Sequence, residues 1–189
     1  MLSYTIIYNP ASGHAKGPTA AEQLKAKLED RQRQVTMAPT KSADDARNFA
    51  YQAQSDIVVA VGGDGTINQV VAGLAPRKQP PTLAILPEGT VNNLAKVLHI
   101  PLLLPLAIKN ILEAKPQPLD IAQVNDRYMV STLTLGVLAN AALSVTQKKT
   151  PFWSHHLLIK GFKVLAQHQH WILHLNSAHN HWEKTPNFC

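Results

Sequence analysis

The sequence predicts an α/β fold in which a parallel sheet is covered by helices. Three observations predict it. Short apolar runs alternate with helical patterns through the first two-thirds of the chain. The run DIVVAV, residues 56–61, lacks the polar alternation of a half-exposed strand and so predicts burial on both faces. Apolar runs also end in small-residue turns that open directly into helical patterns. The length of 189 residues is enough for one full domain with a sizeable core and part of a second. With 45% hydrophobic and 16% charged residues, the composition is that of a globular chain and excludes general disorder.

Taken in order, YTIIY (residues 4–8) is the first strand. AAEQLKAKLED (residues 20–30) places Ala21, Leu24 and Leu28 on one helical face. QVTMA (residues 34–38) is the second strand. The helix in SADDARNFAYQAQ (residues 42–54) starts at Ser42 as N-cap, carries Asp44 and Asp45 in its first turn and aligns Ala46, Phe49, Ala50 and Ala53. DIVVAV is the third strand, and beyond its glycines Ile67, Val70, Val71 and Leu74 fall at i, i+3, i+4 and i+7, one face of a helix. The pattern then repeats. TLAILP (residues 82–87) is a buried strand, EGTVNN a turn, and Val91, Leu94, Ala95 and Leu98 the apolar face of a short helix. The most apolar window, VLHIPLLLPLAI (residues 97–108), is shorter than the roughly 20 residues of a membrane-spanning helix. It contains Pro101 and Pro105, and it is expected to be a buried connection.

Charge and cysteine usage narrow the function classes. The formal net charge is +6, spread along the chain, which favours attraction to phosphates or an anionic membrane surface over a nucleic-acid stripe. The single cysteine, Cys189, excludes a disulfide framework and a cysteine metal set, so a reducing interior is expected. MLSYTIIYNP enters strand-like sequence at once, and the expectation is a protein without an export signal.

The turns carry the chemistry. A turn from the carboxyl end of a parallel strand into a helix presents unpaired backbone N–H groups, and phosphate is their natural ligand. Gly62, Gly63 and Gly65 let the backbone approach an oxygen closely. Asp64 among them has several readings: it faces a cation or a magnesium-bound phosphate, binds a ribose or substrate hydroxyl, or caps the following helix. NPASG, residues 9–13, also follows a strand and precedes a helix, giving three such turns on one edge.

NPASG, GGDGT and PEGTVNN, in this order and at these separations, resemble the catalytic domain of the diacylglycerol kinase and sphingosine kinase lipid-kinase family, with bacterial soluble members the nearest match. The resemblance covers residues 4–175 and becomes diffuse beyond Ala142. It implies a nucleotide-binding α/β domain, residues 1–117, followed by an incomplete β-rich second domain, residues 118–189. By resemblance, Asn9 and Ser12 sit near ATP, Lys16 is a weaker phosphate candidate, and Thr40 contacts the nucleotide. Gly62, Gly63, Asp64, Gly65 and Thr66 would wrap the phosphates, with Asp64 near Mg²⁺ or its water shell. Glu88, Gly89, Thr90 and Asn92 would complete the pocket. Asp120 matches an acidic position of a Mg²⁺-linked network, with a plain turn or strand-edge aspartate as the alternative. There are departures too: Asn93 and Gln69 stand where the family often has acids, and the histidine that often follows the Thr40 position is missing.

The second domain is expected to be cut short. RYMVSTLTLGVLANAAL (residues 127–143) resembles its opening strands, TPFWSHHLLIKGFKVLAQ (residues 150–167) an amphipathic helix and WILHL (residues 171–175) a further strand. From Arg127 onward the only acid is Glu183, so no general base for the acceptor hydroxyl is identified. His168, His170 and His174 share a face if extended, which suggests a metal site or, more plainly, a solvated face. Phe152, Trp153, Leu157, Leu158, Phe162 and Leu165, with Lys148, Lys149, Lys160 and Lys163 around them, suit either a membrane surface or a core-facing helix. The resemblance thus implies a Mg²⁺- and ATP-dependent kinase for a lipid hydroxyl such as that of diacylglycerol. Such a protein would be cytoplasmic or peripheral to the inner membrane face, take a lipid partner and no nucleic acid, and leave a homodimer open. A catalytically silent, truncated nucleotide-binding protein and an NAD kinase-type enzyme, which shares GGDGT, are the alternatives.

Overall fold

In the computed structural model, residues 1–10, 16–130, 173–176 and 181–184 are described. The first strand, β1 (Ser3–Tyr8), leads to helix α1 (Gly17–Glu29), which starts three residues before the expected point because Pro18 suits a first helical turn, where the N–H it lacks would have no partner. Strand β2 (Gln34–Pro39) and helix α2 (Ala43–Gln52) follow. Ser42 caps α2 as expected: its hydroxyl accepts from Asp45 N at 3.2 Å while the Asp45 carboxylate accepts from Ser42 N at 3.0 Å. Strand β3 (Ile57–Gly62), helix α3 (Asp64–Leu74), strand β4 (Thr82–Pro87), helix α4 (Asn93–Val97) and helix α5 (Leu104–Glu113) complete the α/β arrangement.

The four strands form one parallel sheet in the order β2-β1-β3-β4, with Ile6 opposite both Met37 and Val59, and Val59 opposite Ala84. Alternate strand residues feed two cores. Ile7, Val58, Ala60 and Ile85 pack with Ala46 and Ala50 of α2 and Val70 and Val71 of α3. Ile6, Val59, Val61 and Leu86 pack on the other face with Leu24 and Leu28 of α1 and Ala107 and Ile108 of α5. The sheet is therefore the middle of three layers, which is why β3 shows no alternation: Val58, Val59, Ala60 and Val61 are all completely buried. Each aliphatic side chain so buried contributes about 1.5–3 kcal/mol relative to exposure.

Two expectations fail around α4 and α5. Val91 is half exposed, because Asn92 adopts a left-handed conformation (φ 55°) that starts the helix only at Asn93. A five-residue helix cannot bury both Val91 and Leu98, and Leu98 is also exposed. The window 97–108 is not a buried connection either. Pro105 lies in the first turn of α5, where proline starts a helix and does not break it. Only one side of α5 meets the sheet, through Ala107 and Ile108 with Leu104, Ile111 and Leu112 beside them, while Leu106 on the helix and Leu102 and Leu103 before it are exposed.

Beyond α5, β5 (Ala122–Val124) and β6 (Arg127–Met129) make an antiparallel hairpin, turned by Asn125 at φ 54° and Asp126. Val130 packs against the core under α2 and α3. The chain divides into two compact units, Met1–Thr132 and Leu133–Cys189. In the second, β7 (Leu173–Asn176) pairs with β8 (His181–Lys184) in an antiparallel hairpin that places Leu175 opposite Trp182, at the expected WILHL strand. Ser12, the amphipathic stretch 150–167, His168 and His170 lie outside the described residues. Among the described residues, no helix is long and apolar enough to cross a membrane.

Candidate functional site

The parallel register brings three strand ends to one edge. Tyr8 is opposite Val61, and Gly62 is opposite Pro87. Asn9, the segment Gly62 to Thr66 and the segment Glu88 to Asn93 therefore emerge on the same side of the sheet, and Thr40 joins them where its N–H donates to Tyr8 O at 2.9 Å. With β1 and β3 adjacent and β2 and β4 outside them, this edge is the switch point of the topology, where sheets of this kind form a ligand crevice.

The second and third turns are interlocked. Glu88 N donates to Gly62 O at 2.9 Å. Gly63 and Gly89 touch: a Cβ added at Gly63 would stand 3.0 Å from Gly89 Cα, and one at Gly89 would collide with Gly63 and with Asn92 Oδ1. Asp64 completes the link. Its carboxylate accepts Asn93 N at 3.0 Å and Leu94 N at 2.9 Å, so it satisfies the first N–H groups of α4. Asp64 thus sits in the first turn of α3 but caps the next helix in the chain, a pairing across about thirty residues that local sequence rules do not reveal.

Asn92 is also occupied within its turn. Its Nδ2 donates to Gly89 O and its Oδ1 accepts Gly89 N, both at 2.9 Å, and only 7% of the residue is exposed. The reciprocal pair holds the left-handed conformation that an L-residue otherwise disfavours. Thr40 is likewise buried, and Thr66 lies against Gly62. Gly65 and Thr90 are different: both are exposed, and a Cβ at Gly65 would meet nothing within 4 Å. The bare backbone of Gly65 is thus accessible at the start of α3.

A cavity of about 620 Å³ opens between the third turn, α1 and the approach to α5. Lys16, Thr19, Glu88, Gly89, Thr90 and Asn92 form its polar lining, and Leu102, Leu103 and Leu104 its apolar wall. Burial pushes the Glu88 carboxyl above its ordinary range, and the Lys16 ammonium acts in the opposite direction. The cavity joins Lys16 to four expected site residues: Glu88, Gly89, Thr90 and Asn92. Asp120 is exposed between α5 and β5 and does not line it. Thr19 and the leucine wall were not foreseen; the only signal was the apolar run itself, which pattern alone assigned to the interior.

Among the described residues, no group of three or more His, Cys, Asp or Glu side chains stands ready to hold a metal ion. Asp64 keeps lone pairs beyond the two that its backbone donors use.

The fold and this edge define a doubly wound α/β domain with a ligand crevice at the carboxyl ends of its strands. Residues 3–124 match the diacylglycerol kinase catalytic domain, and the chain belongs to that family. It is 36% identical over 165 residues to a diacylglycerol kinase of Bacillus subtilis (strain 168), covering 85% of this chain and 54% of that protein. It is 33% identical over 166 residues to one of Staphylococcus saprophyticus, covering 86% and 54%. The chain thus spans about half the length of the curated relatives it matches. A solved diacylglycerol kinase structure from Bacillus anthracis str. Sterne aligns over 97% of this chain and 61% of that one, with a TM-score of 0.65 and 23% identity, a likeness of fold.

Proposed function

We propose that this chain binds ATP at the joined turns and acts in phosphoryl transfer to a lipid hydroxyl such as that of diacylglycerol. The observation that carries the reading is the combination at one sheet edge of the accessible Gly65 backbone, the interlocked glycine turns and a cavity lined by Lys16 and Thr90. Backbone N–H groups at the start of α3 supply hydrogen bonds and a favourable dipole end for phosphate oxygens. Lys16 supplies a mobile positive charge, and the Thr90 hydroxyl a further donor. Phosphoryl transfer depends mainly on positioning and charge stabilisation, which are the tasks such groups perform. When bound, magnesium would neutralise charge on the phosphates, with Asp64 as its protein carboxylate and Asp120 as the second candidate. Peripheral residence at a membrane follows from a lipid acceptor and from the net charge of +6.

The test has two stages on the full chain. Mg²⁺-ATP is expected to raise the melting temperature, and label from the γ-phosphate of ATP is expected to appear in diacylglycerol dispersed in detergent micelles, with NAD as control acceptor. No thermal shift at any magnesium concentration would refute the nucleotide site. A shift with transfer to neither acceptor would leave a nucleotide-binding protein without kinase activity, and transfer to NAD would reassign the acceptor.

A further inference from the structure

Asp64 and Glu88 stand directly beyond the carboxyl ends of β3 and β4, and their surroundings set them different tasks. The Asp64 carboxylate accepts Asn93 N and Leu94 N at the start of α4, and the residue does not line the cavity. Glu88 does line it. It is half-buried, and its carboxylate has no hydrogen-bond or ion-pair partner among the described residues. Two kinds of surface meet at this residue. Its backbone N–H donates to Gly62 O at 2.9 Å, and its neighbour Gly89 lies against Gly63, so it adjoins the glycine turn. Within the cavity it shares the lining with the aliphatic wall of Leu102, Leu103 and Leu104. The volume of about 620 Å³ lies within the range of about 300–1,000 Å³ common for small-molecule sites. An unpartnered carboxylate repels phosphate oxygens but accepts from a hydroxyl. The group that suits this corner is therefore an uncharged alcohol whose apolar remainder lies along the leucines.

We propose that Glu88 is the proton acceptor of the transfer, its carboxylate taking the proton of an alcohol bound in the cavity beside the leucine wall. The proposal rests on the lipid-kinase reading. In the step, the hydroxyl oxygen forms a bond to the γ-phosphorus of ATP. The bond from that phosphorus to the oxygen bridging to the β-phosphate breaks, and ADP leaves with the electron pair. The hydroxyl proton passes to Glu88 and from there to solvent. Lys16 is the only other charged residue that lines the cavity, and its ammonium can offset charge on the phosphoryl group in transit. Burial favours the protonated form of Glu88, which moves the carboxyl toward the range where a base works near neutral pH, while Lys16 acts in the opposite direction.

The experiment measures transfer from ATP to diacylglycerol in detergent micelles by the full chain, for the parent and its variants, across the pH range in which each is folded. Glu88→Gln should lower kcat about 100-fold or more and leave the KM for ATP little changed. Its melting temperature at neutral pH should not fall, because the substitution removes a charge that burial disfavours, so lost activity would not be lost folding. The parent rate should drop on the acid side as Glu88 takes up a proton. Glu88→Gln should lack that limb, and Lys16→Met should move it to higher pH, since the ammonium that lowers the Glu88 carboxyl is gone. A Glu88→Gln variant with the parental kcat, or one that keeps the parental acid limb, would overturn the proposal and leave the kinase reading in place. So would a variant whose whole loss lies in the KM for ATP, since Glu88 would then hold the nucleotide, for instance at a ribose hydroxyl. A parent that transfers phosphate to no acceptor would remove the kinase reading and this proposal with it, a result distinct from transfer that is indifferent to Glu88.

Discussion

Gly65→Ala separates folding from ligand approach at a single atom. Gly65 is the second residue of α3, its φ is not in the left-handed region, and an added Cβ has nothing within 4 Å. Without ligand, the alanine therefore has no steric cost, and replacing a helical glycine stabilises by about 0.5–1 kcal/mol. For a domain of this size that is a rise of roughly 2–5 °C in melting temperature. With ligand the balance reverses. A ligand at a hundred times its Kd stabilises by about 2.7 kcal/mol, enough for a shift of roughly 10 °C. A methyl group placed where phosphate oxygens approach the backbone should remove most of that shift. Differential scanning fluorimetry with and without Mg²⁺-ATP reads both halves. An alanine variant that keeps the full nucleotide shift would refute phosphate approach at Gly65. One that melts below the parent without ligand would refute the open space itself.

Three other perturbations test the interlocked turns. Asp64→Ala leaves the first N–H groups of α4 without their carboxylate, so urea unfolding without nucleotide should show a loss of about 1–2 kcal/mol; an unchanged midpoint would mean that the cap contributes nothing. Asn92→Ala removes both hydrogen bonds to Gly89 and leaves an alanine in the left-handed region, which together should cost about 2–4 kcal/mol, whereas Asn92→Gly should recover the backbone part. Because burial raises the folded pKa of Glu88, its contribution is fully present below the unfolded value near 4.5 and is lost as pH rises through the higher folded value. Glu88→Gln should therefore gain stability relative to the parent across that rise, and Lys16→Met should move the window further up; parallel stability–pH curves for parent and Glu88→Gln would contradict this.

The layered fold was legible because burial leaves a periodic mark. The unbroken apolar run of β3 reports two covered faces, and the i, i+3, i+4, i+7 spacing of Ile67, Val70, Val71 and Leu74 reports one. Ser42 was legible for a related reason, since a capping box is a local pattern with its partner three residues away. Motif order pointed to the second and third turns. The contacts made there were not legible, because Asp64 is defined by Asn93 and Leu94, which only the β3–β4 register brings near, and Asn92 by a reciprocal pair with Gly89 that needs a left-handed backbone. The window 97–108 misled because hydrophobicity measures preference for burial and not whether a covering surface exists. Leu103 and Leu106 are as apolar as Ile108, but only Ile108 lies on the side of α5 that meets the sheet.

The proposed second role of Asp64, beside a nucleotide's cation, is compatible with its role as a cap. A carboxylate has about four lone-pair positions, and the N–H groups of Asn93 and Leu94 account for two. Those donors fix its orientation, which a side chain exposed on a bare glycine turn would lack, and leave each oxygen another direction in which to accept. A cation or its water can use that direction without breaking the cap. The same bonds tie the start of α3 to the start of α4, and Gly63 lies against Gly89 between the two turns. A phosphate bound at Gly65 would therefore meet a surface whose shape is set before it arrives. Since positioning supplies much of phosphoryl-transfer catalysis, the structural cap and a site for nucleotide can be served by one set of contacts.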